Sequence, residues 1–123
     1  MYRLFAQLSG LDRLVDLYPA KTDPTGVKHI RQTVQIGPVV YRRCVTAHVG
    51  AEGLHLHVRP PFCRYPLLFI PWSQVSAVHA ATLQLRRALR LSIGRPAVTT
   101  ITCRGRLLQS IRPHLPAGLA PAE

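Results

Sequence analysis

The chain has 123 residues, the size of one domain, and a folded protein of that length buries roughly 65% of its unfolded surface around a single core. Sixteen Lys and Arg against five Asp and Glu give a formal charge of +11, yet 47% of residues are hydrophobic and only 17% charged, which excludes a disordered basic tail. The longest apolar run, Pro66 to Trp72, is far short of the roughly 20 residues that span a bilayer, so a transmembrane helix is excluded too.

Leu4, Leu8, Leu11, Val15 and Tyr18 recur at steps of three and four, with Phe5 and Leu14 widening the stripe. This spacing predicts an amphipathic helix over residues 1–20, weakened in its middle by Gly10 and ended by Pro19, with Phe5, Leu8, Leu11 and Val15 on the face it buries against a sheet or against lipid. Arg3, Asp12, Arg13 and Asp16 interrupt the segment, so it lacks the continuous apolar stretch of a secretory signal. Asp23-Pro24-Thr25-Gly26 is turn chemistry and separates this helix from the body.

Beyond the turn the period becomes two. Ile30, Gln32, Val34 and Ile36 alternate with Arg31, Thr33 and Gln35 up to Gly37-Pro38. A second strand, residues 39–49, sets Tyr41, Val45, Ala47 and Val49 against Arg42, Cys44, Thr46 and His48, and adjacency requires one of Arg42 and Arg43 to snorkel from the inner side or lie at a strand end. Gly50-Ala51-Glu52-Gly53 is a hairpin turn, after which Leu54, Leu56 and Val58 alternate with His55, His57 and Arg59. Residues 67–72 are apolar on both faces and contain Pro71, which predicts an edge strand or a bend. Strands over 75–85, 86–93 and 97–103 follow, the middle one placing Leu89, Leu91 and Ile93 inward and Arg86, Ala88, Arg90 and Ser92 outward. Leu107, Leu108, Ile111 and Leu115 return to helical spacing, shortened by Pro113, and residues 116–123 read as a flexible tail.

Seven short antiparallel strands followed by a helix define a mainly β domain, a sandwich or partly open barrel with the helix covering one end. The order resembles the pleckstrin-homology-like (PH-like) superfamily, including bacterial PH-like and GRAM-type modules. The local likeness is the strand Gly53-Leu54-His55-Leu56 and the step Ile70-Pro71-Trp72-Ser73-Gln74-Val75, within residues 28–115. The resemblance implies a binding module. PH-like modules often take phosphoinositides through basic residues flanking the first hairpin loop, and many bind proteins. Here that loop, Ile36 to Val39, has no Lys, and the nearest bases are Arg31, Arg42 and Arg43.

Charge is distributed unevenly. Up to Asp23, three bases cancel three acids; from Pro24 to Ala122, thirteen Lys and Arg meet a single acid, Glu52. A body of that composition attracts anions. Arg42, Arg59, Arg86 and Arg90 are the candidate anion-binding residues, since Arg makes bidentate contacts to phosphate. Trp72 is the candidate partner anchor, set against a reading of it as core. His55 and His57 project from one strand face about 7 Å apart, a weak metal pair without an evident third ligand, and otherwise solvent-facing. No cofactor is expected. There is no G-x-S-x-G, P-loop or G-x-G-x-x-G, and paired carboxylates are missing from the body, so catalysis is the weakest class and a metal-dependent enzyme weaker still. The expected partner is a protein or an anionic membrane surface, with non-specific nucleic-acid binding as the alternative. Cys44, Cys63 and Cys103, odd in number and without close spacing, read as reduced thiols of a cytoplasmic protein, one with a peripheral membrane role if the basic face is used there.

Overall fold

A computed structural model describes residues 10–60 and 65–115. Phe5, Leu8, Cys63, Arg64 and the expected tail lie outside the described residues.

The seven strands expected from the sequence are present, all antiparallel: β1 Val27–Ile36, β2 Val39–Val49, β3 Gly53–Val58, β4 Leu68–Pro71, β5 Val75–Leu83, β6 Arg86–Ile93 and β7 Thr99–Arg104. They form one sheet in the order β4-β3-β2-β1-β7-β6-β5, curled into a half-barrel. Its inner face carries Val34, Ile36, Val45, Ala47, Leu54, Leu56, Leu91, Ile93 and Ile101, all buried. β4 is an edge strand, as Pro71 requires; beyond it Trp72–Gln74 form a 3-10 turn leading into β5.

Among the described residues two short helices close the core. Helix α1, Leu11–Leu17, sinks Leu11 and Leu14 to 0% exposure, with Val15 and Tyr18 packed beside them. The described part of the N-terminal helix therefore packs on protein. Gly10 corrects the expected continuous helix: at φ 84 it is the residue before the first turn, and a Cβ there would stand 2.8 Å from that of Thr99. The chain after α1 then runs along β4, where the Phe69 N–H donates to the Tyr18 carbonyl at 2.9 Å and the Ala20 N–H to that of Leu67 at 2.9 Å. These bonds cover an edge that would otherwise offer free backbone groups. Helix α2, Gly105–Ile111, buries Leu107, Leu108 and Ile111 and packs against β1, β2, β6 and β7. The turn after it, Arg112–His114, brings His114 onto Trp72, ring centroids 5.3 Å apart and planes 4° from parallel.

Two expectations for the first hairpin are corrected by bulges. Between the pairs His29–Ala47 and Gln32–Val45, β1 carries one residue more than β2; between Gln32–Val45 and Val34–Tyr41, β2 carries two more than β1. Arg31 and Arg43, both at φ 53, sit in these irregularities. An extra residue inverts the inside-outside phase of a strand. Upstream of Arg31 it is therefore His29 that pairs with inward Ala47, while Ile30, expected beside Val34 and Ile36, is exposed. On β2 the two extra residues leave the phase of Tyr41 and Val45 unchanged but put Arg42 and Arg43 in the irregularity, both exposed, so neither snorkels. The Arg43 N–H, turned from the ladder, donates to Thr33 Oγ1 at 3.2 Å.

Gly53 is needed for contact. A Cβ there would lie 2.6 Å from the Ile70 carbonyl oxygen and 2.7 Å from the Phe69 ring. Gly53→Ala is expected to cost about 2 kcal/mol in urea unfolding, because backbone and ring must both move. Leu14→Ala should cost about 2–5 kcal/mol by the same measurement, the value for emptying a core leucine site. Wild-type stability of the Leu14 variant would show α1 to be peripheral to the fold.

Candidate anion-binding site

The four arginines chosen from sequence fall into two groups. Arg42 stands on the β2 bulge beside Arg43, and Arg59 follows the end of β3, its N–H donating to the Cys44 carbonyl at 2.7 Å. Arg86 and Arg90 lie on β6, opposite Leu83 and His79 of β5. All four are exposed. β2 and β6 are separated by β1 and β7, three interstrand spacings or roughly 14 Å along the sheet, so the groups do not form one site.

The second group borders a concave surface. Arg86 and Arg87 from β6, Gly105, Leu108 and Gln109 from α2, and Arg112 and Pro113 from the turn after it line a groove of about 680 Å³. Its lining includes one apolar side chain of the core, Leu108, and brings together three guanidinium-bearing residues and, among the described residues, no carboxylate. Chemically the groove can accept phosphate-sized anions through forked N–H donors. Arg90, two residues along β6, does not line it.

Sequence reasoning picked Arg86 but not its groove partners: Arg87 is in phase with inward Leu89 and Leu91, and Arg112, in the turn after α2, is remote from β6 in the chain. The signal available was the spacing of Arg112 four residues after Leu108, which puts it near the same helix face. The strand expected over 75–85 ends instead at Leu83. Gln84 and Leu85, at φ 50 and 66, form the two-residue tip that joins β5 to β6. Arg104 steadies this hairpin, its Nη1 donating to the Leu83 carbonyl at 3.4 Å.

Trp72, the candidate anchor, is 7% exposed, and its Nε1 donates to the Gly50 carbonyl at 2.9 Å. Its backbone N–H donates to the Glu52 carbonyl at 3.2 Å. The ring thus fastens the β2–β3 turn to the start of β5 and is occupied within the fold.

The histidines are also corrected. His55, expected to face solvent, is 3% exposed, packed at 4.6 Å from the Phe69 ring and directly opposite His48 across the ladder. Lys28, His48, His55 and Phe69 form one row across β1 to β4 on the face away from the core. Phe69 leans over side-chain-less Gly53 and with it covers the imidazole. Neither ring nitrogen of His55 has a protein hydrogen-bond partner, nor does His48 Nδ1 or His29 Nε2. His57 is half-buried. Among the described residues no three His, Cys, Asp or Glu side chains converge as metal ligands. Burial holds all three of His29, His48 and His55 below the ordinary imidazole pKa, helped by Arg106 for His29, by Lys28 and His29 for His48, and by His48 for His55. The thiols go the other way: burial raises Cys44 and pushes Cys103 up to about 12. A thiol so placed stays protonated and is no nucleophile.

Comparison of the chain with protein-family models, with curated proteins and with solved structures finds no match in any of the three.

A pH dependence follows from the histidines. A base whose folded pKa is depressed takes up a proton on unfolding, so stability is full above about pH 6.5, the ordinary imidazole value, and is lost as pH falls below it. The melting temperature is expected to drop between pH 7.5 and 5.5. His55→Leu, which removes no protein hydrogen bond of the ring, should flatten part of that slope and leave the contribution of His29 and His48. An unchanged slope in the variant would remove His55 from this account.

Proposed function

We propose that this chain is a PH-like, non-catalytic binding module whose groove of Arg86, Arg87 and Arg112 engages an anionic membrane surface through lipid phosphates, as a cytoplasmic protein held peripherally at the bilayer. One observation carries the reading: three arginines from β6 and the turn after α2 border a single groove whose lining, among the described residues, holds no carboxylate. The strand order and closing helix support the PH-like part of it. Among the described residues no helix is long and apolar enough to cross a membrane, so contact with a bilayer would be made by the surface.

A protein partner is less favoured by the same surface. Interface hot spots are rich in Trp, Tyr and Arg, and among the described residues no Trp, Tyr or Phe is exposed. Single-stranded nucleic acid would want those aromatics as stacking platforms. Duplex DNA needs charge alone and is therefore the competitor to test against.

Vesicles of phosphatidylcholine, the same vesicles with added phosphatidylserine, and duplex DNA should be titrated with the wild-type chain and with the Arg86→Glu, Arg87→Glu double variant. Each arginine near an anionic surface contributes about 1 kcal/mol, so charge reversal at two should weaken binding to the phosphatidylserine vesicles by more than about tenfold. Both forms should ignore neutral vesicles, and raising salt should weaken the wild type as the Debye length shrinks. Equal vesicle affinity of the two forms would overturn the reading. Tighter, groove-dependent binding to DNA than to vesicles would also overturn it, in favour of nucleic acid.

A further inference from the structure

The side chain between the groove and the β5 end takes no part in the core. Leu85 is 99% exposed, the extreme among the described large hydrophobic side chains, and it stands immediately before Arg86 of the groove. Its backbone makes this more pointed. With Gln84 and Leu85 both at positive φ and Leu83 paired with Arg86, the tip has the geometry that Asn-Gly satisfies without strain. A leucine in the left-handed region is disfavoured by contact of its Cβ with the backbone. The position thus bears a residue that suits neither the turn nor the water around it. Backbone strain persisting at an exposed tip is a reason to look for a function there.

Resting on the membrane reading above, we infer that Leu85 is a lipid-inserting wedge: the β5–β6 tip points into the bilayer, Leu85 enters the acyl boundary, and Arg86 and Arg87 stay at the level of the phosphates. The spacing fits this division. The tip residue is the farthest point of the hairpin, and the arginines begin one residue behind it, so an apolar side chain leads and cations follow. Interfacial elements that combine an apolar insert with flanking bases sit about 5–10 Å into the headgroup and acyl boundary. The other exposed aliphatics, Leu17, Val27, Ile30 and Val40, lie on α1, β1 and β2, and none is bonded in sequence to a residue that lines the groove, as Leu85 is to Arg86. The ligand class is an anionic phospholipid in a bilayer. A soluble headgroup phosphate would use the arginines and leave Leu85 in water.

Two variants test this. Leu85→Gly keeps the charge and relieves the turn, so its melting temperature should rise while its affinity for phosphatidylserine vesicles falls about tenfold. Opposite signs in stability and binding distinguish an insertion residue from a structural one. Leu85→Trp should show a blue-shifted emission on adding the vesicles and quenching by brominated acyl chains, against the buried Trp72 as an internal constant. Soluble glycerophosphoserine should give neither signal. If Leu85→Gly binds the vesicles as tightly as the wild type, or if the new tryptophan is not quenched while the protein is vesicle-bound, insertion is refuted and the groove reading stands on its own test. If the wild-type chain binds no anionic vesicle, both fall.

Discussion

Two residue pairs hold the molecule in its curled shape. Gln35 with Thr102 and Ile36 with Ile101 join the four-stranded meander β1 to β4 to the three-stranded meander β5 to β7, reinforced by the Gly37 N–H on the Thr100 carbonyl at 2.9 Å. The seam is short because β1 meets β7 only in its last two residues, its earlier part pairing with β2 alone through the irregularities at Arg31 and Arg43. A bulged strand bends and twists more strongly than a regular one. The divergence gives α2 its place: following β7 directly, it lays Leu107, Leu108 and Ile111 into the core between β1, β2 and β6. The groove exists because a helix seated in that position faces the start of β6, and Arg86 and Arg87 are there to meet it.

Much of the architecture is legible from period alone. β2 and β6 have the bounds their alternation predicts, and α2 buries three of the four residues its spacing selects, the helix ending at Ile111 before Leu115. The failures in strand phase and strand ends share one physical cause: conformations that the pattern of residue types does not encode. Arg31, Arg43, Gln84 and Leu85 adopt left-handed backbone without being Gly, Asn or Asp, so no turn residue announced the two bulges or the early end of β5. Burial of His55 was equally hidden. Its alternation with Leu54 and Leu56 correctly puts it on the outer face, but that face is covered locally by Phe69, a cross-strand neighbour identifiable only once the register is known. The candidate site was half legible for the same reason: charge types are visible in sequence, while the meeting of Arg86 and Arg87 with Arg112 depends on the path of α2.

The outer histidine row shows what such a surface costs. Lys28, His48 and His55 put three cationic or potentially cationic groups side by side, and the protein keeps the imidazoles neutral by burial. Protonating them would add charge to a chain already at +11 and desolvate it at once. Neutral His48 and His55 are thus compatible with the positive surface in a way that two further arginines in the same row would not be.

Net charge and local geometry act at different ranges. The excess of thirteen bases over one acid from Pro24 to Ala122 sets a field felt over a Debye length of about 10 Å at moderate salt, enough to draw the molecule to an anionic surface but indifferent to which side arrives first. Orientation needs something that decays faster. A groove with Arg86, Arg87 and Arg112 on its rim acts at hydrogen-bond distance, and a leucine one residue away acts only on contact. Binding through the proposed face therefore proceeds from the diffuse field to the short-range pair. Only the second step distinguishes the β6–α2 end from the other exposed arginine pair, Arg42 and Arg43 on the β2 bulge, where the nearby exposed aliphatic, Val40, stands within a strand instead of at a hairpin tip.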